Sequence, residues 1–378
     1  MNYAHFLIRQ KRLERNWSQE GLCKGICTAS YLSKIEQGKA EPSEEVIRLL
    51  FQRMGIEWND KENGCSDQML KDSYEFLLTG DQENFYKIVK SELWQKYENS
   101  PWGLDYLLLN RYAEPNAGPM EESLEICMSQ KQLALQRNLQ ERWEEAIRLF
   151  PCGYLYVEAG KACYHDGNTT QAIELLQTAH QLAAEEGSVR IMLMARITMG
   201  SCYSNLQDAD SMKAHYQVAK RLAVALGAKE ELKDISYNEA ATQIELGQYQ
   251  IALDYFEHCK NPNAASLHKL AICYEKLGNP QKALEALERA DVAEHFLPDN
   301  MEDKMCRLVK LRLTDKCYLD SEVYGTALMD CFKMCKQHLP AGYAIFHLPW
   351  VLEWYEYHRQ YKCAYDLLLD FPEYRRRK

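Results

Sequence analysis

Five times between residues 160 and 371 one spacing returns: successive steps of 3, 4, 5, 4 and 3 residues. The first copy is Gly160, Cys163, Gly167, Ala172, Leu176, Ala179, and the second is Gly200, Tyr203, Gln207, Met212, Tyr216, Ala219. The third is Ala240, Gln243, Gly247, Ala252, Phe256, Cys259, and the fourth is Ala271, Tyr274, Gly278, Ala283, Leu287, Ala290. A C-terminal copy runs Leu352, Tyr355, Arg359, Ala364, Leu368, Phe371. Steps of 3 and 4 keep residues on one helix face, and the step of 5 crosses a turn. Each unit is thus two antiparallel helices, brought close by small residues and wedged apart from the next unit by larger ones. A lone helix pair cannot bury its apolar face, so such units must stack.

This spacing resembles the tetratricopeptide repeat. It predicts an all-α chain whose body is a right-handed helical solenoid. The units start at 160, 200, 240 and 271, steps of 40, 40 and 31 residues, against about 34 for the standard repeat; the longer steps imply longer helices. Clear repeats span about 153–291, with a C-terminal capping repeat at about 345–372. Residues 71–150 read as helical but match weakly, with Phe85 and Ser123 as markers of degenerate repeats. The domains expected are a head at 1–57, a polar linker at 58–70 and the repeat body at 71–378.

Charge divides the chain at the same place. The net charge is −10, yet residues 1–40 hold seven Lys/Arg and three acids, a net of +4 that leaves −14 for the remainder. A basic head on an acidic body suits a protein whose head alone meets phosphate.

Residues 3–54 read as five short helices. Ser18 and Thr28 are good N-caps for the second and third, and Gly38 is a fitting stop for the third. Pro42-Ser43 opens the next. A short helix, a tight turn and a second capped helix describe a helix-turn-helix, whose second helix lies in the major groove. From the pattern alone, a small helical hairpin that only packs fits as well.

The string decides between them. Ser18-Gln19-Glu20-Gly21-Leu22-Cys23-Lys24-Gly25-Ile26-Cys27-Thr28-Ala29-Ser30-Tyr31-Leu32-Ser33-Lys34-Ile35-Glu36-Gln37-Gly38-Lys39 resembles the Cro/repressor-type DNA-binding domain. Its Gly-Ile-Cys turn and Ser-Tyr-Leu-Ser-Lys-Ile-Glu run are similar to the heads of the peptide-sensing PlcR/NprR regulators, the RRNPP group. The resemblance implies that Gln19 meets a phosphate and that Thr28, Ala29, Ser30 and Tyr31 face bases. Arg9, Ser18, Lys34 and Lys39 complete the expected DNA-contacting set. It also implies a buried ion pair between Arg12 and Glu36. Ile8, Leu22, Leu32 and Ile35 read as core. With no long side chain among residues 28–30, apolar, hydroxyl and shape readout are expected rather than Arg-to-guanine pairing.

In the body, the repeat register turns one set of side chains towards a concave groove. These are Lys161 and His165 from the first unit, and Thr198, Ser201 and Asn205 from the second. Tyr237, Asn238 and Glu245 come from the third, and His268 and Lys269 from the fourth. A carboxamide both donates and accepts, so such a wall can hold an extended peptide backbone. The resemblance points to Asn205 and Asn238 for that task. The plain alternative is that a polar concave face is simply solvated.

Fourteen cysteines are scattered without a C-x-x-C. Cys23/Cys27 and Cys331/Cys335 stand at i,i+4, which suits half a zinc site but suits small buried hydrophobes better. No metal, cofactor or catalytic constellation is expected, so the chain reads as a non-enzyme. No apolar run reaches the ~20 residues of a membrane span, and Met1–Phe6 lacks a signal-peptide flank. A cytoplasmic protein is expected. Its partners would be an operator in double-stranded DNA, a short signalling peptide and a second copy of the chain in a homodimer. Two other functions fit the same sequence. One is a scaffold or inhibitor binding a folded partner such as a response regulator, and the other is a dimeric repressor that needs no ligand.

Overall fold

A computed structural model describes residues 3–59, 66–114, 117–292 and 300–371. Every regular element among them is helical, and no helix is long and apolar enough to cross a membrane. The chain divides into two compact units, residues 1–158 with 181–191, and residues 159–180 with 192–378.

The first unit opens with α1 (Tyr3–Glu14), α2 (Gln19–Cys23), α3 (Ala29–Glu36) and α4 (Glu44–Arg53). The starts are chemically marked. Ser18 Oγ accepts from Gly21 N at 3.0 Å, Thr28 Oγ1 from Tyr31 N at 3.2 Å and Ser43 Oγ from Val46 N at 3.4 Å, each satisfying a helical N–H that has no partner within its helix. Gly38 follows α3 with φ +68°. Ile8, Leu22, Leu32 and Ile35 are fully buried together.

Residues 3–54 therefore hold four helices, not the five expected. After α4, Gly55 turns left-handed (φ +72°) and Ile56 N returns to Phe51 O at 3.0 Å. Trp58 then stacks flat on Phe51, ring centroids 4.4 Å apart and 4° from parallel. The chain thus folds back after α4. Of the expected linker, residues 60–65 lie outside the described residues, whereas its flanks are packed or helical. Asn59 N donates to Asn99 O at 2.8 Å, and the Tyr97 hydroxyl holds both Ser66 N and Ser66 O. The unit continues through α5 (Asp67–Thr79), α6 (Gln82–Val89), α7 (Glu92–Gln95), α8 (Gly103–Ala113), α9 (Gln130–Leu139) and α10 (Trp143–Leu149). Tyr3 lies against Gly103, where any Cβ would collide with its ring. One apolar core thus runs from α1 into these helices.

Among the described residues the repeat region follows as six helix pairs. They are α11 (Gly153–His165) with α12 (Thr169–Glu186), α13 (Val189–Asn205) with α14 (Ala209–Leu226), and α15 (Lys229–Glu245) with α16 (Tyr249–Glu257). Then come α17 (Ala264–Lys276) with α18 (Pro280–Asp291), α19 (Met301–Thr314) with α20 (Glu322–His338), and α21 (Ala341–Tyr357) with α22 (Tyr361–Leu369).

The repeated spacing has a direct structural meaning. Its third position, Gly167, Gln207, Gly247, Gly278 and Arg359, takes positive φ in all five copies, at +82°, +58°, +73°, +77° and +57°. That residue ends the first helix and reverses the chain, a conformation glycine adopts without steric cost. The fourth and fifth positions of the first four copies are buried within the pairs. Gly160 lies under Leu176 and Gly200 under the ring of Tyr216, so close that neither glycine has room for a Cβ. The 40-residue steps arise from helices of 17 and 18 residues, and the 31-residue step from the 9-residue α16. In the C-terminal copy Ala364 and Leu368 are only half-buried. The pair α19/α20 escaped the spacing because a 3₁₀ turn at Tyr318–Asp320 lengthens its connection.

Candidate DNA-contacting helix and ligand cavity

In the first unit α2 and α3 form the expected two-helix element. Arg12 Nε and Nη2 donate to the two oxygens of Glu36 at 2.6 and 2.8 Å, and Arg12 Nη1 donates to Trp17 O at 2.7 Å. Both partners are buried, so the pair ties α1 and the α1–α2 turn to the end of α3. Gln19 Nε2 donates to the same carboxylate at 2.8 Å, which fixes the side chain at the start of α2. Thr28, Ser30, Lys34 and Lys39 are exposed along α3 and its exit, and Arg9 and Ser18 are exposed before it. Ala29 and Tyr31 are half-buried against the core, and the Tyr31 hydroxyl donates to Glu41 O at 3.3 Å. The open positions at the start of α3 are thus Thr28 and Ser30. Arg53, which sequence reasoning passed over, donates to the carbonyls of Leu22 and Lys24 and so closes the end of α2. Nothing local in the sequence signals a contact 29 to 31 residues away.

In the second unit a solvent-open cavity of about 90 Å³ lies between α13, α15, α17 and the start of α21. Six of the ten expected groove residues meet there: Ser201, Asn205, Tyr237, Asn238, Glu245 and Lys269. The others lie elsewhere. Thr198 is buried and donates to Met194 O at 3.0 Å, Lys161 is half-buried off the lining, and His268 is wholly buried beside it. His165, at the end of α11, lines a separate cleft with Lys336 and Asp370. The cavity also takes Tyr164, Ser204, Tyr216, Thr242, Gly342, Tyr343 and Phe346. Of these, α21's three residues carry no sequence signal, because the spacing assigns α21 to a terminal cap.

The cavity's polarity is unevenly satisfied. Ser201 Oγ bonds Ile197 O at 3.2 Å and the Tyr216 hydroxyl at 3.0 Å, and Ser204 Oγ lies 2.6 Å from Thr242 Oγ1. Asn205 is 4% exposed, and its Nδ2 has no hydrogen-bond partner among the described residues. Its Oδ1 packs against Gly342, where a Cβ would come within 2.8 Å. Lys269 is 5% exposed and holds its ammonium 3.0 Å above the centre of the Phe346 ring. Burial pulls its pKa down to about 7, against the field of Glu245, which acts to raise it. Burial lowers His268 well below its ordinary value, and the Lys269 charge pushes the same way. Burial raises the phenols of Tyr164, Tyr216 and Tyr237, so they stay protonated donors. Chemically the cavity offers amide and hydroxyl hydrogen bonds, aromatic walls and one buried amine. Among the described residues no cluster of His, Cys, Asp or Glu could hold a metal.

Comparison with known proteins agrees with this division. The helix-turn-helix family matches residues 8–60 and the tetratricopeptide repeat family matches residues 265–290, the α17/α18 pair. A stretch of 35 residues is 60% identical to the transcriptional activator NprA of Geobacillus stearothermophilus, covering 9% of this chain and 9% of that protein. A Rap protein complexed with Competence and Sporulation Factor superposes with a TM-score of 0.57 at 15% identity, over 82% of this chain and 95% of that one. Bacillus thuringiensis PlcR in complex with the peptide PapR7 and DNA matches at a TM-score of 0.30 and 14% identity, over 76% and 99%, too distant to argue from. The chain is thus built as a helix-turn-helix head followed by a tetratricopeptide-type helical body.

Proposed function

We propose that this chain is a cytoplasmic, DNA-binding transcriptional regulator whose body takes a short signalling peptide in the α13–α15–α17–α21 cavity. The observation that carries the reading is Asn205. A buried amide that donates to nothing is costly to keep, and an extended peptide offers the carbonyl it lacks. Asn238, on the same wall, serves the next peptide group. The peptide acts by binding one arrangement of the body better than another, which is the condition for a ligand to shift an equilibrium. At the head, Gln19, Lys34 and Lys39 contact backbone phosphate, while Thr28 and Ser30 face bases. Arg9 and Ser18 lie at the margin of that contact.

The regulator works as a homodimer, because one small head makes too few contacts and two linked heads gain from effective concentration. Tyr361, Tyr365 and Leu369 support this reading. They recur every four residues along α22 and are 49–63% exposed, a stripe that water does not favour.

Footprinting on DNA beside the gene tests the head. Gln19→Ala weakens binding to every sequence, whereas Ser30→Ala changes the preference among operators. Absence of any protected site defeats the proposal. Calorimetry with a co-purified peptide tests the cavity, where Asn205→Ala and Asn238→Ala each weaken binding roughly tenfold. A folded protein co-purifying in place of a peptide would favour the scaffold reading.

A further inference from the structure

We propose that the ligand of this cavity presents a carboxylate, and that Lys269 receives it. The inference rests on the peptide reading above and adds the chemistry of one subsite. Two polar groups that line the same cavity are open to a ligand. Asn205 Nδ2 is buried without an acceptor among the described residues. Lys269, among the described residues, sits in no ion pair and meets the face of Phe346 instead. A ring face stabilises an ammonium but gives it no oxygen, so its hydrogen-bonding capacity is left over. Burying an ammonium without a hydrogen-bonded anion is costly, and the amine answers by giving up its proton.

The groups around Lys269 do not fill that need. On α17 itself stand His268 and Cys273, and on α15 Glu245. Cys331 and Cys335 face it from α20, with His347 on α21 and Arg312 on α19 acting on its neighbour His268. Glu245 favours the charged amine, yet Lys269 still titrates near neutrality. An entering carboxylate supplies the missing anion and draws a proton onto Nζ from solvent. Carboxylate ligands accordingly bind with proton uptake, and their affinity falls as the pH rises past 7. The carboxylate has two sources in a peptide, the free C-terminus or an Asp or Glu side chain.

Immobilised full-length protein, offered three pools of random heptapeptides, separates them. The first pool lacks Asp and Glu and has free C-termini, the second lacks both and is amidated, and the third is amidated with Asp and Glu allowed. At pH 6.5 the first or the third pool is retained tenfold or more over the second. The winning pool names the source. That preference shrinks at pH 8.5 and disappears in Lys269→Met, whose folding is checked by its melting curve. Should this variant fail to fold, the pool preference and its pH dependence in the parent protein still decide. Equal retention of the neutral amidated pool would overturn the carboxylate subsite while leaving the peptide reading intact. Retention of no pool would overturn both.

Discussion

Removing Glu36 tests the head's architecture quantitatively. Its carboxylate receives three hydrogen bonds, at 2.6 and 2.8 Å from Arg12 and 2.8 Å from Gln19. In Glu36→Ala the Arg12 guanidinium keeps only the Trp17 carbonyl and stays in a site where its side chain is 10% exposed. Stranding one member of a buried pair costs about 3–5 kcal/mol. The surviving carbonyl contact places the cost near the lower end, about 3 kcal/mol, or roughly two decades in local opening. Hydrogen exchange read by mass spectrometry on peptides from α3 measures this locally and does not require the whole chain to unfold in one step. Protection of Leu32 to Glu36 should drop about a hundredfold. The double replacement Arg12→Met with Glu36→Leu removes both charges and should recover most of the loss, since apolar substitutes for a buried pair are often neutral. Unchanged protection in Glu36→Ala, or a double variant as damaged as the two single changes added, would refute the reasoning.

Three further outcomes are expected. Gly200→Ala puts a methyl into the fully buried Tyr216 ring and should cost about 1–3 kcal/mol; an unchanged thermal melt would contradict the pairing of α13 with α14. The ligand-free body should gain stability between pH 6.5 and 8.5, because the unfolded chain holds the Lys269 proton up to its ordinary value of 10.5 while the folded one releases it near 7. The slope is at most about 1.4 kcal/mol per pH unit, it fades where buried thiols such as Cys273 begin to oppose it, and melting curves of Lys269→Met should lack it. Tyr361→Lys with Tyr365→Glu should move the chain towards monomer in sedimentation; an unaltered dimer would place the interface elsewhere.

What the sequence displayed, and what it hid, follow from the range of each interaction. The reversal at Gly167, Gln207, Gly247, Gly278 and Arg359 is local, so a fixed spacing reveals it. The caps at Ser18, Thr28 and Ser43 act over three residues and are equally plain. Register also turned Asn205, Asn238 and Lys269 to one side. It could not show that α21 closes over them, since Gly342 meets Asn205 across 137 positions of chain. The same closure explains His268, which the register turns inward but which Phe346 and His347 cover. Lys269 stood in the register as one groove residue among ten, and only its burial and its seat on Phe346 set it apart.

If the cavity holds a peptide through Asn205 and its neighbours, native mass spectrometry of the chain purified from its natural host should show an added mass equal to a peptide of several residues. That mass should be released on activation and be clearly diminished in Asn205→Ala protein prepared in the same way. An unliganded mass for the parent chain, or the same added mass undiminished in Asn205→Ala, would contradict that reading.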